Sequence, residues 1–372
     1  MVVVQAHRSC ALSAVAPCRR RSSIVASWSA VLRDVARDGF HLSRLDEHLR
    51  SDRCIVLAAV ASSNEALQFA ADHLRADEEV VRAAVSYGGT ALQFASAALR
   101  RHKAIVLQAV RDDGAALQFA DTAIRDDREV VLAAISQNGL ALEYASERFR
   151  ADRAVVMAAV LRNGYALRDA HPRFRADRQI VMAAVAQRGR ALVHAHPALR
   201  FDPVVVHRAV EQSGAALVFA HEYHRAHKRV VMTAVRQNGL ALREAHPSLK
   251  ADVDVVMAAV QQNGFALKEV DPSLKTDANV VMTAVRNAPM ALLYSPMTFL
   301  LFHQDIVTCA VNRDRRAIVM LRCRASSSWP SHPRWVRAGP KHLTALFRCM
   351  PPYFTLPVEV VREHILPHYF PR

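Results

Sequence analysis

Apolar and polar positions follow two periods at once. Within short stretches, pairs of Val or Ile are followed three residues later by Ala-Val. A polar stretch and an Ala-Leu pair come next, and the whole pattern returns every 25 residues from about 27 to 324. The unit Asp152 to Ala176 reads DRAVVMAAVLRNGYALRDAHPRFRA. With Asp152 as position one, apolar positions four, five, eight and nine are Val155, Val156, Ala159 and Val160. At about 100° per residue they cover one face of a helix. On a strand, positions four and five would point to opposite sides. Ala166, Leu167, Ala170 and Phe174 describe a second helical face. A period of this size marks an array of one small unit.

The punctuation agrees. Position one is Asp in most units (Asp127, Asp152 and Asp177 in succession), and Asp is a good N-cap because its carboxylate accepts from the free N–H groups of the first turn. Asp202 precedes Pro203, and Pro is favoured at the first helical position. Nine of the eleven glycines share position thirteen, among them Gly139, Gly164 and Gly189, where a left-handed C′ residue would end the first helix. Position sixteen is Leu in eleven consecutive units, Leu142, Leu167 and Leu192 among them. Each unit is thus predicted to be a helix of about ten residues, a Gly stop and a shorter helix, cut to about two turns by Pro172, Pro197, Pro247 and Pro272. Neither helix is long enough to stand alone. Stacked, they predict an all-α solenoid of about twelve 25-residue helix-turn-helix repeats. A degenerate first unit opens near Ser27, and a last one spans His303 to Arg324.

The pattern D-x-x-V-V-x-A-V-x-x-N-G-x-A-L-x-x-A-x-x-x-L-R resembles the domain-of-unknown-function 4116 repeat family. DREVVLAAISQNGLALEYASERFR (127–150) and DVDVVMAAVQQNGFALKEV (252–270) carry the resemblance best. It covers roughly residues 27–324 and departs at both ends and at Pro289, which takes the glycine slot. It implies a helical repeat and brings no activity with it.

Charge divides the chain into three parts. Residues 1–26 hold four arginines and no acid, and residues 325–372 hold six basic and two acidic residues. Of the net charge of +15, the repeat tract (27–324) therefore keeps +7, from 39 basic and 32 acidic residues. The N-terminal segment reads as a basic disordered tail, or as a mitochondrial or plastid presequence, being rich in Ser, Ala and Arg. The C-terminal segment is Pro-rich, with one short helix expected. No apolar run is long enough for a membrane span. Six scattered cysteines without C-x-x-C pairs fit a reducing compartment, cytoplasmic or nuclear.

Three ladders carry what chemistry the repeats offer. Position twenty-four is basic in ten consecutive units, and Arg100, Arg125, Arg150, Arg175, Arg200 and Arg225 form a candidate partner-binding edge. Such a line could hold an acidic peptide or a phosphate backbone. The plainer reading pairs it with the Asp ladder two residues on. His171, His196, His221 and His246 form a second ladder, which helix-ending His-Pro turns explain. Neighbours about 10 Å apart cannot share one zinc ion. Gln137, Gln187, Gln212, Gln237 and Gln262 form a third, where successive side chains could read successive bases. Phe69, Phe94, Phe119, Tyr144 and Phe219, at position eighteen, are expected to pack, and so are Met157, Met182, Met232, Met257 and Met282, at position six. There is no phosphate-binding glycine loop and no nucleophile elbow, and no metal or cofactor is called for. The expectation is a monomeric, non-enzymatic scaffold for a protein partner, without small-molecule substrate or membrane insertion. The alternative is an RNA-binding helical repeat.

Overall fold

The computed structural model describes residues 21–314 and Ala317; the N-terminal and C-terminal segments discussed above lie almost wholly outside them. Every regular element among the described residues is helical, with no strand. Twelve long helices mark the units: α1 (Arg21–Arg37), α2 (Arg53–Ser62), α3 (Glu78–Tyr87), α4 (Lys103–Asp112), α5 (Arg128–Gln137), α6 (Arg153–Arg162), α7 (Arg178–Gln187), α8 (Pro203–Gln212), α9 (Lys228–Gln237), α10 (Val253–Gln262), α11 (Ala278–Asn287) and α12 (Gln304–Arg313). The first unit starts earlier than the pattern implied, because α1 runs for 17 residues against ten in α2–α12. The chain divides into two compact bodies, Met1–Arg162 and Asn163–Arg372. In each body, long helices of successive units pack side by side.

The apolar periodicity lands where helical geometry puts it. In α3, Val80, Val81, Ala84 and Val85 are fully buried, as are Ala91 and Leu92 just beyond it. The same six slots are fully buried in most units, and each Val or Leu there contributes about 1.5–3 kcal/mol. Asp caps the long helices as the sequence implied. Asp127 accepts from the backbone N–H of Glu129 and Val130, Asp152 from Ala154 and Val155, and Asp177 from Gln179 and Ile180.

The second half of the unit differs from expectation. Instead of one shortened α-helix, residues thirteen to eighteen form a six-residue 3-10 helix, as in Gly164–Asp169, followed by a separate single turn such as Pro172–Arg175. Pro172, Pro197 and Pro247 therefore open a turn of helix rather than cut one, and Pro272 precedes the 3-10 turn Leu274–Thr276. Two buried residues three apart suit either kind of helix over so short a stretch.

The glycines also have another cause. No described residue, glycine or otherwise, has positive φ. The residue before each glycine is extended, as at Asn138 (φ −141°), and where it is Asp or Asn its side chain caps the 3-10 helix: Asn138 Oδ1 accepts from Leu140 N at 3.0 Å. Glycine is needed because the next unit's long helix passes over it. A Cβ on Gly214 would lie 3.1 Å from the Ala234 carbonyl carbon and closer still to its oxygen. One pair of units solves this differently. Asn64 stands in the glycine slot, and the residue its side chain would strike in the next unit is Gly88. Asn64 Nδ2 then donates to Gly88 O and Thr90 Oγ1, both at 3.2 Å.

Candidate interaction surface

The glutamine ladder joins units to each other. Gln237 Oε1 accepts from Gly214 N at 2.6 Å, and Gln262 Oε1 from Gly239 N at 2.6 Å. The amide nitrogen turns the other way: Gln262 Nε2 donates to Gln237 O at 3.4 Å, and Gln137 Nε2 to Asp112 O at 3.0 Å. One side chain thus satisfies an orphan N–H at a helix start and an orphan carbonyl at a helix end of the preceding unit. At the same position, Asp112 Oδ2 accepts from Gly89 N and Asn287 Oδ1 from Gly264 N. Base reading is not what occupies these amides. A second rung is pure backbone, with the N–H of position twenty donating to the carbonyl of position twenty-four one unit back, as in His221 N to Arg200 O at 3.1 Å.

The aspartates pair, but not with the position-twenty-four arginines. Their partners are the cations at position two of the preceding unit: Lys103–Asp127 at 2.8 Å, Arg128–Asp152 at 2.9 Å, Arg178–Asp202 at 2.8 Å and Lys228–Asp252 at 2.8 Å. Hydrogen bonds from Lys103, Arg178 and Lys228 hold the carboxyls of Asp127, Asp202 and Asp252 below the usual carboxylate range. The arginine edge folds inward instead. Arg125 donates through Nε to Ala120 O and through Nη2 to Gln118 O, both at 2.8 Å; Arg200 reaches Ala195 O and Val193 O at 3.1 and 2.6 Å; Arg175 reaches Ala170 O at 3.2 Å. The Nε of Arg100, Arg150 and Arg225 is equally out of solvent, without a hydrogen bond. All six are half-buried. Arg125, Arg175 and Arg200 thus tie the 3-10 helix of their own unit to the turn that follows, and a partner would meet only the guanidinium N–H groups left over.

The His ladder begins helices rather than ending them. His171, His196, His221 and His246 each accept, through Nδ1, the backbone N–H two residues on, at 3.3 Å. Among the described residues, no three His, Cys, Asp or Glu side chains come together as a metal site. The position-eighteen aromatics are half-buried, with Phe40 edge-on to Phe69 at 6.0 Å.

What these ladders leave over is the outward side of the long helices, positions three, six, seven and ten. Met157, Met182, Met232, Met257 and Met282 lie there half-exposed, not enclosed by the next unit as expected. In the second body, two depressions open on this side. One, of about 720 Å³, lies between α9 and α10 and is lined by Met232, Arg236, Met257, Ala258 and Gln261 among others. The other, of about 650 Å³, lies between α8 and α9 and shares Met232 and Arg236. Near its mouth, departures from the repeat converge. Phe201 replaces the usual small residue at position twenty-five, His224 takes the buried Leu or Phe slot, and His227 replaces the capping Asp. His224 is 2% exposed and its Nε2 meets Phe201 O at 2.8 Å, while Phe201 and Tyr223 stay exposed with ring centres 5.5 Å apart. Tyr223 continues to His227 at 6.3 Å. Sequence reading missed this groove. The run KRVVMTAVRQ of α9, with three cations and no acid, was the available signal.

An array of short helical units locked by nearest-neighbour ladders defines an all-α repeat solenoid. The model of the domain of unknown function DUF4116 matches residues 30–75, 55–100, 102–150, 152–200, 205–250 and 252–300, each match spanning two units, and the chain belongs to that family. No curated protein and no solved structure matches the chain. Among the described residues, no helix is long and apolar enough to cross a membrane.

Proposed function

We propose that the chain is a non-enzymatic helical-repeat scaffold that holds a protein partner along the outward side of its long helices. One observation carries this reading. Many polar side chains at positions one, two, eleven and twenty-four hold units together or closed, whereas positions three, six, seven and ten stay exposed or half-exposed through α2–α11 and include five methionines. Thioether side chains adapt to apolar groups of varied shape. Shallow contacts repeated over successive units are how stacked repeats gather affinity. The carboxylates act as caps and ion-pair partners instead of sharing a cleft, which supports a binding role over catalysis. The compartment proposed is a reducing one, cytoplasm or nucleus, in keeping with Cys309, which stands outside any disulfide.

A second reading, binding of nucleic acid, draws on the net charge of +15. Affinity capture by the full chain, with and without nuclease, separates the two. The scaffold predicts nuclease-resistant protein partners that are lost with M232E/M257E. Captured RNA or DNA that dissociates steeply as salt rises would replace the scaffold by the second reading.

A further inference from the structure

The groove across α8, α9 and α10 has a charge pattern that selects its occupant. Its acids are already engaged. Glu211 lies 3.1 Å from His207 Nε2 and 3.6 Å from Arg208, and Asp254 takes Lys228 Nζ at 2.7 Å. Arg229 and Arg236 are exposed and make no ion pair among the described residues. They flank Met232, which stands between the two depressions. An exposed cation pair around an apolar saddle complements carboxylates interleaved with apolar side chains. The geometry points to a short acidic, amphipathic segment of a protein partner, with one apolar anchor on each side of Met232 and carboxylates on Arg229 and Arg236.

The size fits. Depressions of about 720 and 650 Å³ fall within the range of built binding pockets. Successive long helices pack about 8–10 Å apart, so the two anchors belong about seven residues apart on a helix, or about two on a strand, where only even spacings share a face. Neither depression has a Phe, Tyr or Trp ring in its lining, and single-stranded nucleic acid is held largely by stacking its bases on such rings. That favours a peptide over RNA. The inference rests on the scaffold reading and makes it specific to one site and one chemistry.

The test is selection of a displayed library of random twelve-residue peptides against the full chain, followed by affinity measurement on the enriched sequences. R236E and R229E/R236E alter the groove. R111E changes the same repeat position in the other body, where Arg111 is likewise exposed. Circular dichroism checks that each variant is folded. The expected result is enrichment of Asp- and Glu-rich peptides with two apolar residues at one of those spacings. Their affinity should fall about tenfold or more in R236E, the scale of a central charged contact, and stay unchanged in R111E. Peptides that bind R236E and R111E as well as the parent would overturn the groove while leaving the scaffold standing. Failure to enrich any peptide, with a fluorescent single-stranded oligonucleotide bound and then lost in R236E, would overturn both.

Discussion

Replacing Gly214 by Ala separates two accounts of the glycine grid, because they differ in sign. Gly214 has no positive φ. If its backbone freedom were the only consideration, adding a methyl would stabilise the fold by about 0.4–1 kcal/mol through the unfolded chain. The structure says otherwise. The new Cβ would stand 3.0 Å from Gln237 Oε1 and 3.1 Å from the Ala234 carbonyl carbon, against about 3.5–4.0 Å for a comfortable carbon contact. The helix α9 must retreat by roughly half an ångström or more. Val231, Ala234 and Val235 of this helix are fully buried, so the retreat spreads into the core. Overpacking of this kind costs about 1–3 kcal/mol. It should also loosen the bond from Gly214 N to Gln237 Oε1, 2.6 Å long. Urea unfolding of the full chain, followed by far-ultraviolet circular dichroism, gives the overall loss. Hydrogen exchange should place it in Lys228–Gln237. A natural control is Gly88→Ala, whose Cβ would meet the amide end of the Asn64 side chain, a flexible group. That variant should lose less, and N64G/G88A should recover the loss by restoring the arrangement of the other units. A Gly214→Ala protein as stable as the parent, or more stable, would refute close approach as the reason for the grid.

Three further outcomes follow from the ladders. Gln262→Ala strands the N–H of Gly239 and the carbonyl of Gln237, and should cost about 1–3 kcal/mol in the same urea assay, whereas Gln261→Ala, on the exposed side, should be nearly neutral. Arg200→Leu removes both bonds to the carbonyls of Ala195 and Val193 and should destabilise by about 1–2 kcal/mol; no change would mean the arginine edge is free for a partner. The carboxyls of Asp127, Asp202 and Asp252 titrate lower in the fold than in the unfolded chain, so their stabilisation is complete above the unfolded value near 3.9 and is lost as pH falls through the folded values. D127N/D202N/D252N should therefore flatten the acid limb of a stability–pH profile, and an unchanged limb would discount the ladder.

Much of this fold was legible because it repeats. The Asp caps, the Ala-Leu pair and the paired Val or Ile residues are local devices, and their recurrence over most units removes the ambiguity of a single copy. What stayed hidden was the partner of each polar side chain. Gln262 works on Gly239 and Gln237, 23 and 25 residues away, and nothing inside a single unit points there. Arg200 looked outward because it is charged, yet a guanidinium can lay its stem on apolar surface and give its N–H groups to carbonyls. The 3-10 segments are not distinguishable from α-helix in sequence, because Leu217 and Ala220, buried three residues apart, satisfy either geometry. The groove escaped because the residues that mark it depart from the pattern, His227 in its lining and Phe201 and His224 beside it, and a consensus is blind to them.

The Asn64–Gly88 exchange bears on how such an array can change over generations. Where every junction is a bare glycine beneath a helix, units are interchangeable, and tandem duplication or loss can shift them without injury. At this junction the side chain has crossed from one unit to the other. A consensus unit placed after Asn64 would collide with it, and a consensus unit placed before Gly88 would leave a hole. The two units must travel together, so this junction marks the array's genealogy and fixes a register from which the others can be counted.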